Sequence, residues 1–158
     1  MSHLFTFPNP VNEVSARVVA AGVVVLSVIT IAFDQPWLLL VLAYGFVARV
    51  ATGPTLSPLG QLVTRAVTPR LPFAPKYVAG PPKRFAQGIG ATLSVGAVVA
   101  YYGFGSTGVA YALVALVIIA AMLESVFALC LGCKAFAALI RLGVIPEEVC
   151  ERCNNIWA

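Results

Sequence analysis

The sequence VSARVVAAGVVVLSVITIAF, residues 14–33, contains twenty residues and a single charge, that of Arg17. A helix needs about 20 mostly apolar residues to cross the hydrocarbon core of a bilayer, so this sequence predicts a membrane-spanning α-helix. No basic segment precedes it, and no small-x-small cleavage site precedes Asp34. We therefore expect it to be retained as a span and not removed as a signal peptide.

The composition of the whole chain agrees with a membrane protein. Of its 158 residues, 60% are hydrophobic and 10% are charged, whereas soluble domains have about 45–50% apolar and about 25% charged residues. Three more apolar runs follow, at residues 37–51, 85–102 and 109–129. The predicted fold is an all-α integral membrane bundle of four transmembrane helices, forming a single domain over residues 1–158.

Two further segments connect and complete this bundle. Residues 52–84 contain seven prolines, which forbid a continuous helix and predict a long proline-rich loop. Within the loop, apolar residues recur at helical spacing over Leu59–Val67, which indicates a short amphipathic or re-entrant segment. Residues 130–158 predict a short helical tail.

The third predicted span carries small residues at four-residue spacing, namely Gly88, Thr92 and Gly96. Such a seam lets helices approach closely in lipid. It leaves room for a homodimer.

The lysines and arginines predict the orientation of the spans. With a cytoplasmic N-terminus, the outer turns hold Asp34 and no basic residue, and all ten basic residues lie at or near the inner face. These ten are Arg17, Arg49, Arg65, Arg70, Lys76, Lys83, Arg84, Lys134, Arg141 and Arg152. The positive-inside rule then places both termini, the 52–84 loop and all four cysteines in the cytoplasm, with membrane lipids around the spans.

The sequence also argues against several function classes. It has no basic patch interleaved with aromatic residues, so we expect no nucleic-acid partner, and it has no P-loop or GxGxxG motif for a nucleotide. Its single histidine, His3, is too little for a histidine-rich metal site or a Ser/His/Asp triad.

All four cysteines lie in two Cys-x-x-Cys pairs, Cys130/Cys133 and Cys150/Cys153, separated by sixteen residues. This separation fits a four-thiolate zinc site. The four cysteine sulfurs would bind zinc, or iron in its place, and so tie the tail to the end of the fourth span. The same residues fit two redox dithiols. Cytosolic thiols are normally kept reduced, so permanent disulfides are not expected there.

The redox hypothesis makes a structural prediction. Gly132 is expected to break the helix, so that a new helix over residues 133–142 begins at Cys133 and its positive end favours the thiolate. Lys134 would add to that effect, and Cys150 would lie in the first turns of a last helix opened by Pro146. A third interpretation is that the cysteines are small polarizable residues at the end of a bundle. The sequence leaves these alternatives open.

Glu124 is the only carboxylate well inside a predicted span, which by default suggests a functional role. We expect a buried ion pair with Arg17 or Arg49. A regular helix would project Glu124 roughly 120° from Cys130 and roughly 180° from Cys133, so it is poorly placed as their base.

A basic cluster of Arg70, Lys76, Lys83 and Arg84 precedes the third span. Lipid phosphates are its expected ligand. A sulfur oxyanion or an acidic partner surface is the alternative.

Five sequence motifs resemble one bacterial membrane family, domain of unknown function 4395, which is common in actinobacteria. The motifs are NPVNE at 9–13, ATGPTLSPLG at 51–60, GPPKRFAQ at 80–87, CLGC at 130–133 and VCERCNN at 149–155. The resemblance implies a multi-pass protein of the bacterial inner membrane, with thioredoxin-like or rhodanese-like proteins as soluble partners. It favours thiol-redox or sulfur-relay chemistry over the alternative, a non-enzymatic membrane protein whose tail is pinned by zinc or iron.

Overall fold

A computed structural model of the chain describes residues 11–78 and 80–146. Within these ranges the chain forms six α-helices and one pair of very short strands. The elements are β1 (Val11–Asn12), α1 (Glu13–Ala32), α2 (Trp37–Thr52), α3 (Pro58–Leu62), β2 (Tyr77–Val78), α4 (Gly80–Val98), α5 (Thr107–Phe127) and α6 (Leu131–Arg141). A π-helical turn extends α4 through Val99–Gly103.

Within the described ranges, three segments are long and apolar enough to cross a membrane: Glu13–Ala32, Gly80–Gly103 and Thr107–Phe127. This confirms the prediction of a helical protein with segments long and apolar enough to span a membrane. The fourth predicted span, α2, is also apolar but has 16 residues. At a rise of about 1.5 Å per residue it is about 24 Å long, less than the hydrocarbon thickness of about 30 Å.

The long helices pack as antiparallel neighbours, with α1 against α5 and α4 against both α2 and α5. Their buried side chains form two apolar clusters. One contains Ala20, Val23, Leu42, Phe46, Val117 and Ala121, and the other contains Leu39, Ala97, Ala100, Ala110 and Val114. The outer faces carry exposed aliphatic side chains such as Val95, Leu116 and Ile119, as expected for helices surrounded by lipid.

The face of α4 that enters the bundle differs from the predicted seam. Gly90, Ser94 and Ala97 are buried, and an added Cβ at Gly90 would overlap the ring of Phe46 on α2. Thr92 is exposed, and an added Cβ at Gly88 would meet no atom within 4 Å. Both faces carry small residues at helical spacing, so composition alone did not distinguish them.

The loop between α2 and α4 is shorter than predicted, because α4 begins at Gly80 and not at residue 85. Pro81 and Pro82 fall in its first turn, where proline is tolerated because the backbone N–H groups there have no intrahelical partner. The expected helical segment within the loop is present as α3, followed by a π-helical turn at Val63–Val67 and a 3₁₀ turn at Thr68–Arg70.

The loop is tied back to the start of α1. Strands β1 and β2 pair antiparallel, with Val11 opposite Val78, and the Glu13 N–H donates to the carbonyl of Lys76 at 2.7 Å. The Ser15 and Thr68 hydroxyls lie 2.9 Å apart. The start of α1, the loop and the start of α4 therefore lie at one end of the bundle, together with the described basic residues.

Asp34, in the turn between α1 and α2, lies at the opposite end and hydrogen bonds with the Tyr111 hydroxyl of α5. The charge asymmetry predicted from the sequence is thus present along the bundle axis, for the residues that the structure describes.

Candidate functional site

The candidate site begins where α5 ends and α6 starts. Helix α5 ends at Phe127, and Ala128 adopts a left-handed conformation with φ 55° and ψ 24°. The Leu129 N–H then donates to the Leu123 carbonyl at 3.0 Å, which satisfies a terminal carbonyl of the helix. The chain therefore turns before the first cysteine pair.

Helix α6 begins at Leu131 with Cys130 as its N-cap residue. The prediction that Gly132 breaks the helix and that Cys133 begins the next one was wrong: Gly132 and Cys133 both lie in the first turn of α6. The break falls four residues earlier, at Ala128, whose left-handed conformation has already ended α5. Cys130, and not Cys133, occupies the helix N-terminus.

Cys130 and Cys133 form a disulfide, with their Cα atoms 5.1 Å apart. The Cys133 N–H donates to Cys130 Sγ at 3.2 Å, as a capping side chain does at the start of a helix. Each cysteine is about 9% exposed. An N-capping sulfur lies at the positive end of the helix, which favours its thiolate when the pair is reduced.

Gly132 lets α6 lie directly on α4. An added Cβ would overlap the Cα and Cβ atoms of Ala86, so the two helices touch through backbone at this point. Phe136 of α6 packs against Phe85 of α4, with ring centroids 5.6 Å apart and the ring planes tilted by 56°. These contacts fix the cysteine pair against the first turns of α4.

Glu124 forms an ion pair with Lys83, whose Nζ lies 2.5 Å from Glu124 Oε1. The two side chains are 7% and 14% exposed respectively. The prediction that Glu124 pairs with Arg17 or Arg49 was wrong, because neither residue forms the direct ion pair. The reason is that α4 begins before Lys83, which places the lysine inside the bundle end beside α5.

Arg17 instead donates from Nε and Nη2 to the Ser125 carbonyl, at 3.1 and 2.9 Å. Nη2 also donates to the Val126 carbonyl at 3.3 Å. A guanidinium at the end of a helix satisfies its last carbonyls and complements the negative end of its dipole. Arg17 therefore joins α1 to the C-terminus of α5.

Arg49 is buried, with 6% of its surface exposed. Its Nε donates to Gln87 Oε1 at 2.9 Å, and its Nη1 donates to the Ser57 hydroxyl at 3.2 Å. The guanidinium also lies over the ring of Phe46, 4.6 Å from the centroid, a favourable cation–π geometry. Gln87, Ser57 and Phe46 were not predicted, because their roles come from contacts between helices.

The predicted basic cluster does not form a single site. Lys83 is buried with Glu124, Lys76 Nζ lies 3.2 Å from Glu13 Oε2, and Arg84 Nε donates to the Val50 carbonyl at 2.9 Å. Arg70 ends the 3₁₀ turn and is exposed. These side chains point to separate partners because helix and loop carry them to different positions.

A cavity of about 300 Å³ lies between the helices beside the cysteine pair. Its wall includes Cys130, Gly132, Glu124, Arg49 and Gln87, together with aliphatic side chains of α1, α4 and α5. A second cavity, of about 270 Å³, shares Arg49 and Gln87 and has Lys83 in its wall. The buried polar residues therefore separate two cavities at the basic end of the bundle.

The second cysteine pair, Cys150 and Cys153, lies outside the described residues, as does the last predicted helix beyond Pro146. Within residues 11–78 and 80–146, no cluster of three or more His, Cys, Asp or Glu side chains is placed to hold a metal ion. The four-thiolate site therefore stays a prediction.

No curated protein and no solved structure matches the chain. One family model does match, over residues 11–141, which covers α1 to α6 and the first cysteine pair. The chain belongs to the family described as Domain of unknown function (DUF4395).

Proposed function

We propose that this protein is a membrane-embedded thiol-redox or sulfur-relay protein that exchanges through its Cys-x-x-Cys pairs. The observation that carries the proposal is the placement of Cys130 at the N-cap of α6, paired with Cys133. Helix N-termini and Cys-x-x-Cys spacing both favour the thiolate, which is the form that attacks a disulfide. Cys130 is then the attacking sulfur and Cys133 the resolving one.

The surroundings of the pair support exchange over a purely structural bond. A bond between residues three apart closes a very small loop, so it constrains the unfolded chain less than a bond across a long loop would. α6 is already held on α4 by the contact of Gly132 with Ala86 and by Phe136 on Phe85. The disulfide is therefore not needed to fix the position of α6.

The topology completes the proposal. We place α2 in the bilayer as a fourth, short span, since it packs along α4 and its C-terminal Arg49 lies at the basic end. The basic end faces the cytoplasm of a bacterial cell under the positive-inside rule, so both termini and the end of the bundle that carries the cysteines face soluble cytoplasmic partners. A thioredoxin-like or rhodanese-like protein is the expected partner, and Cys150/Cys153 would pass electrons or sulfur between it and Cys130/Cys133.

Trapping of a mixed disulfide tests this proposal. In full-length protein carrying Cys150→Ser and Cys153→Ser, the further change Cys133→Ser leaves Cys130 without its resolving thiol. We expect this variant to accumulate a mixed disulfide with a cytoplasmic thioredoxin-like or rhodanese-like protein, and the matched Cys130→Ser variant to accumulate less. Absence of an adduct from every single-cysteine variant would contradict the proposal.

The alternative function rests on the sixteen-residue separation of the two pairs, which fits a four-thiolate site. In that case zinc or iron, held by Cys130, Cys133, Cys150 and Cys153, pins the tail of a non-enzymatic membrane protein. Elemental analysis of protein purified anaerobically without a polyhistidine tag, with a free-thiol count, separates the two. About one metal per chain with few accessible thiols supports the metal site, and metal-free protein with a folded tail contradicts it.

A further inference from the structure

We infer that the cavity beside Cys130 binds the ring of a lipid-soluble quinone, which takes electrons from the Cys130/Cys133 dithiol. The inference rests on the proposed thiol-redox function and names a substrate for the same site. It is carried by three features of the cavity: its opening, its polar inner end and the presence of Cys130 in its wall.

The opening of the cavity is apolar. Four of its lining residues are exposed, and all four are aliphatic, namely Ile89, Leu116, Ile119 and Leu131. Three of them lie on α4 and α5, which belong to segments long and apolar enough to cross a membrane. The cavity is therefore entered from the hydrocarbon side of the bundle, where a molecule dissolved in lipid reaches it without crossing water.

The inner end of the cavity is polar. Arg49 is buried there and its guanidinium is fixed by Gln87 and Ser57, and Glu124 lines the same wall. Arginine carries five N–H donors, so a carbonyl oxygen has a charged donor to approach. An occupant with a polar ring and an apolar tail matches this arrangement better than a plain acyl chain, because an acyl chain makes no hydrogen bond to the buried polar groups.

The volume and the redox chemistry also fit. About 300 Å³ lies at the lower end of the range for small-molecule sites, about 300–1,000 Å³, and holds a ring with its tail extending through the opening. The reaction balances without a further reagent. Two S–H bonds break and one S–S bond forms, while two electrons and two protons pass to the quinone and form its two O–H bonds. A cytoplasmic dithiol then reduces the Cys130–Cys133 disulfide again.

Anaerobic oxidation by decylubiquinone tests the inference. Full-length protein is reduced by thioredoxin, freed of reductant and mixed with the quinone, and the Cys130–Cys133 disulfide is mapped by mass spectrometry. We expect one hydroquinone per disulfide formed. Ala120→Phe, which fills the cavity from α5, should slow the reaction by about tenfold, equivalent to about 1.4 kcal/mol of barrier. Met122→Phe, on the same helix but outside the cavity wall, should leave the rate unchanged.

The two proposals fail in different ways. If thioredoxin reduces the disulfide but the quinone does not re-form it, the quinone inference is overturned and thiol exchange stands. If Ala120→Phe and Met122→Phe react at the wild-type rate, oxidation takes place outside the cavity and the inference is likewise overturned. If thioredoxin cannot reduce the pair at all, the proposed function fails together with the inference.

Discussion

Lys83 and Glu124 place two opposite charges inside the bundle end, where neither can be fully hydrated. The lysine side chain is 7% exposed and the glutamate 14%. Removing charges from water costs several kcal/mol per ion, and a short contact offsets this cost only while both partners are present. Loss of one partner leaves the other buried without compensation.

Glu124→Gln is therefore expected to destabilise the protein markedly, because it leaves the Lys83 ammonium without its carboxylate. Breaking a buried pair from one side costs about 3–5 kcal/mol in soluble proteins. Glu13→Gln is the matched control: its carboxylate is also 14% exposed, but its partner Lys76 is 74% exposed, so we expect a loss of about 1 kcal/mol or less. Thermal unfolding in a mild detergent compares the two, and equal shifts in Tm would contradict this account.

Ala128 is strained by its own backbone. An L-residue in the left-handed region costs about 1–2 kcal/mol, and Ala128 adopts φ 55° to end α5. Glycine removes that cost, but it also gives the unfolded chain more conformational entropy, which stabilises the unfolded state by about 0.4–1 kcal/mol.

We expect Ala128→Gly to raise the free energy of unfolding by about 0.5–1 kcal/mol as the difference of these terms. Ala135→Gly, at an exposed interior position of α6, should lower it by about 0.5–1 kcal/mol. The two variants should shift Tm in opposite directions, and a fall in Tm for Ala128→Gly would show that the turn is not strained.

At the level of helices, the site depends on how closely α6 approaches α4. Gly132 touches the backbone of Ala86, and no side chain is available there to move aside. Any residue with a Cβ must push the helices apart and carry Cys130 away from the cavity wall.

Gly132→Ala should therefore destabilise the docked α6 by about 1–3 kcal/mol, the usual cost of overpacking, and should make the reduced thiols react faster with alkylating reagents. Gly88→Ala provides the control, because an added Cβ at that position of α4 meets nothing within 4 Å. Alanine also has the better helix propensity, by about 1 kcal/mol. Thermal unfolding and thiol alkylation rates report the difference, and equal behaviour of the two variants would rule out a close α4–α6 contact.

The sequence predicted the bounds of the helices better than it predicted which helix faces pack together. The apolar runs predicted α1 at 14–33 and α2 at 37–51, close to the observed Glu13–Ala32 and Trp37–Thr52. The start of α4 was misplaced because prolines in a first turn look like loop residues. Lys83 was consequently assigned to the loop, and its pairing with Glu124 was missed.

For the whole molecule, the charged residues that the structure describes distinguish a basic end of the bundle from the end that holds Asp34. We propose that the basic end is cytoplasmic, and a pair of exposed phenylalanines tests the orientation. Phe73 lies in the loop at the basic end, and Phe104 lies in the turn after α4 at the other end; they are 66% and 82% exposed.

In a background without the native cysteines, Phe104→Cys should react with a membrane-impermeant maleimide on intact cells, and Phe73→Cys should react only after permeabilisation. The positive-inside rule gives this direction. The reverse labelling pattern would invert the topology and place Cys130 and Cys133 outside the cytoplasm.

We propose that Cys130/Cys133 is an exchanging pair and not a structural bond. Because the helix N-terminus stabilises the thiolate of Cys130, it stabilises the reduced form and raises the reduction potential. The most direct measurement is a redox equilibrium titration of full-length protein carrying Cys150→Ser and Cys153→Ser, followed by thiol alkylation and mass spectrometry. We predict a midpoint between about −270 and −120 mV, the range of thioredoxin-like exchange proteins. A midpoint below about −300 mV, where structural disulfides lie, or a pair that never oxidises, would contradict it.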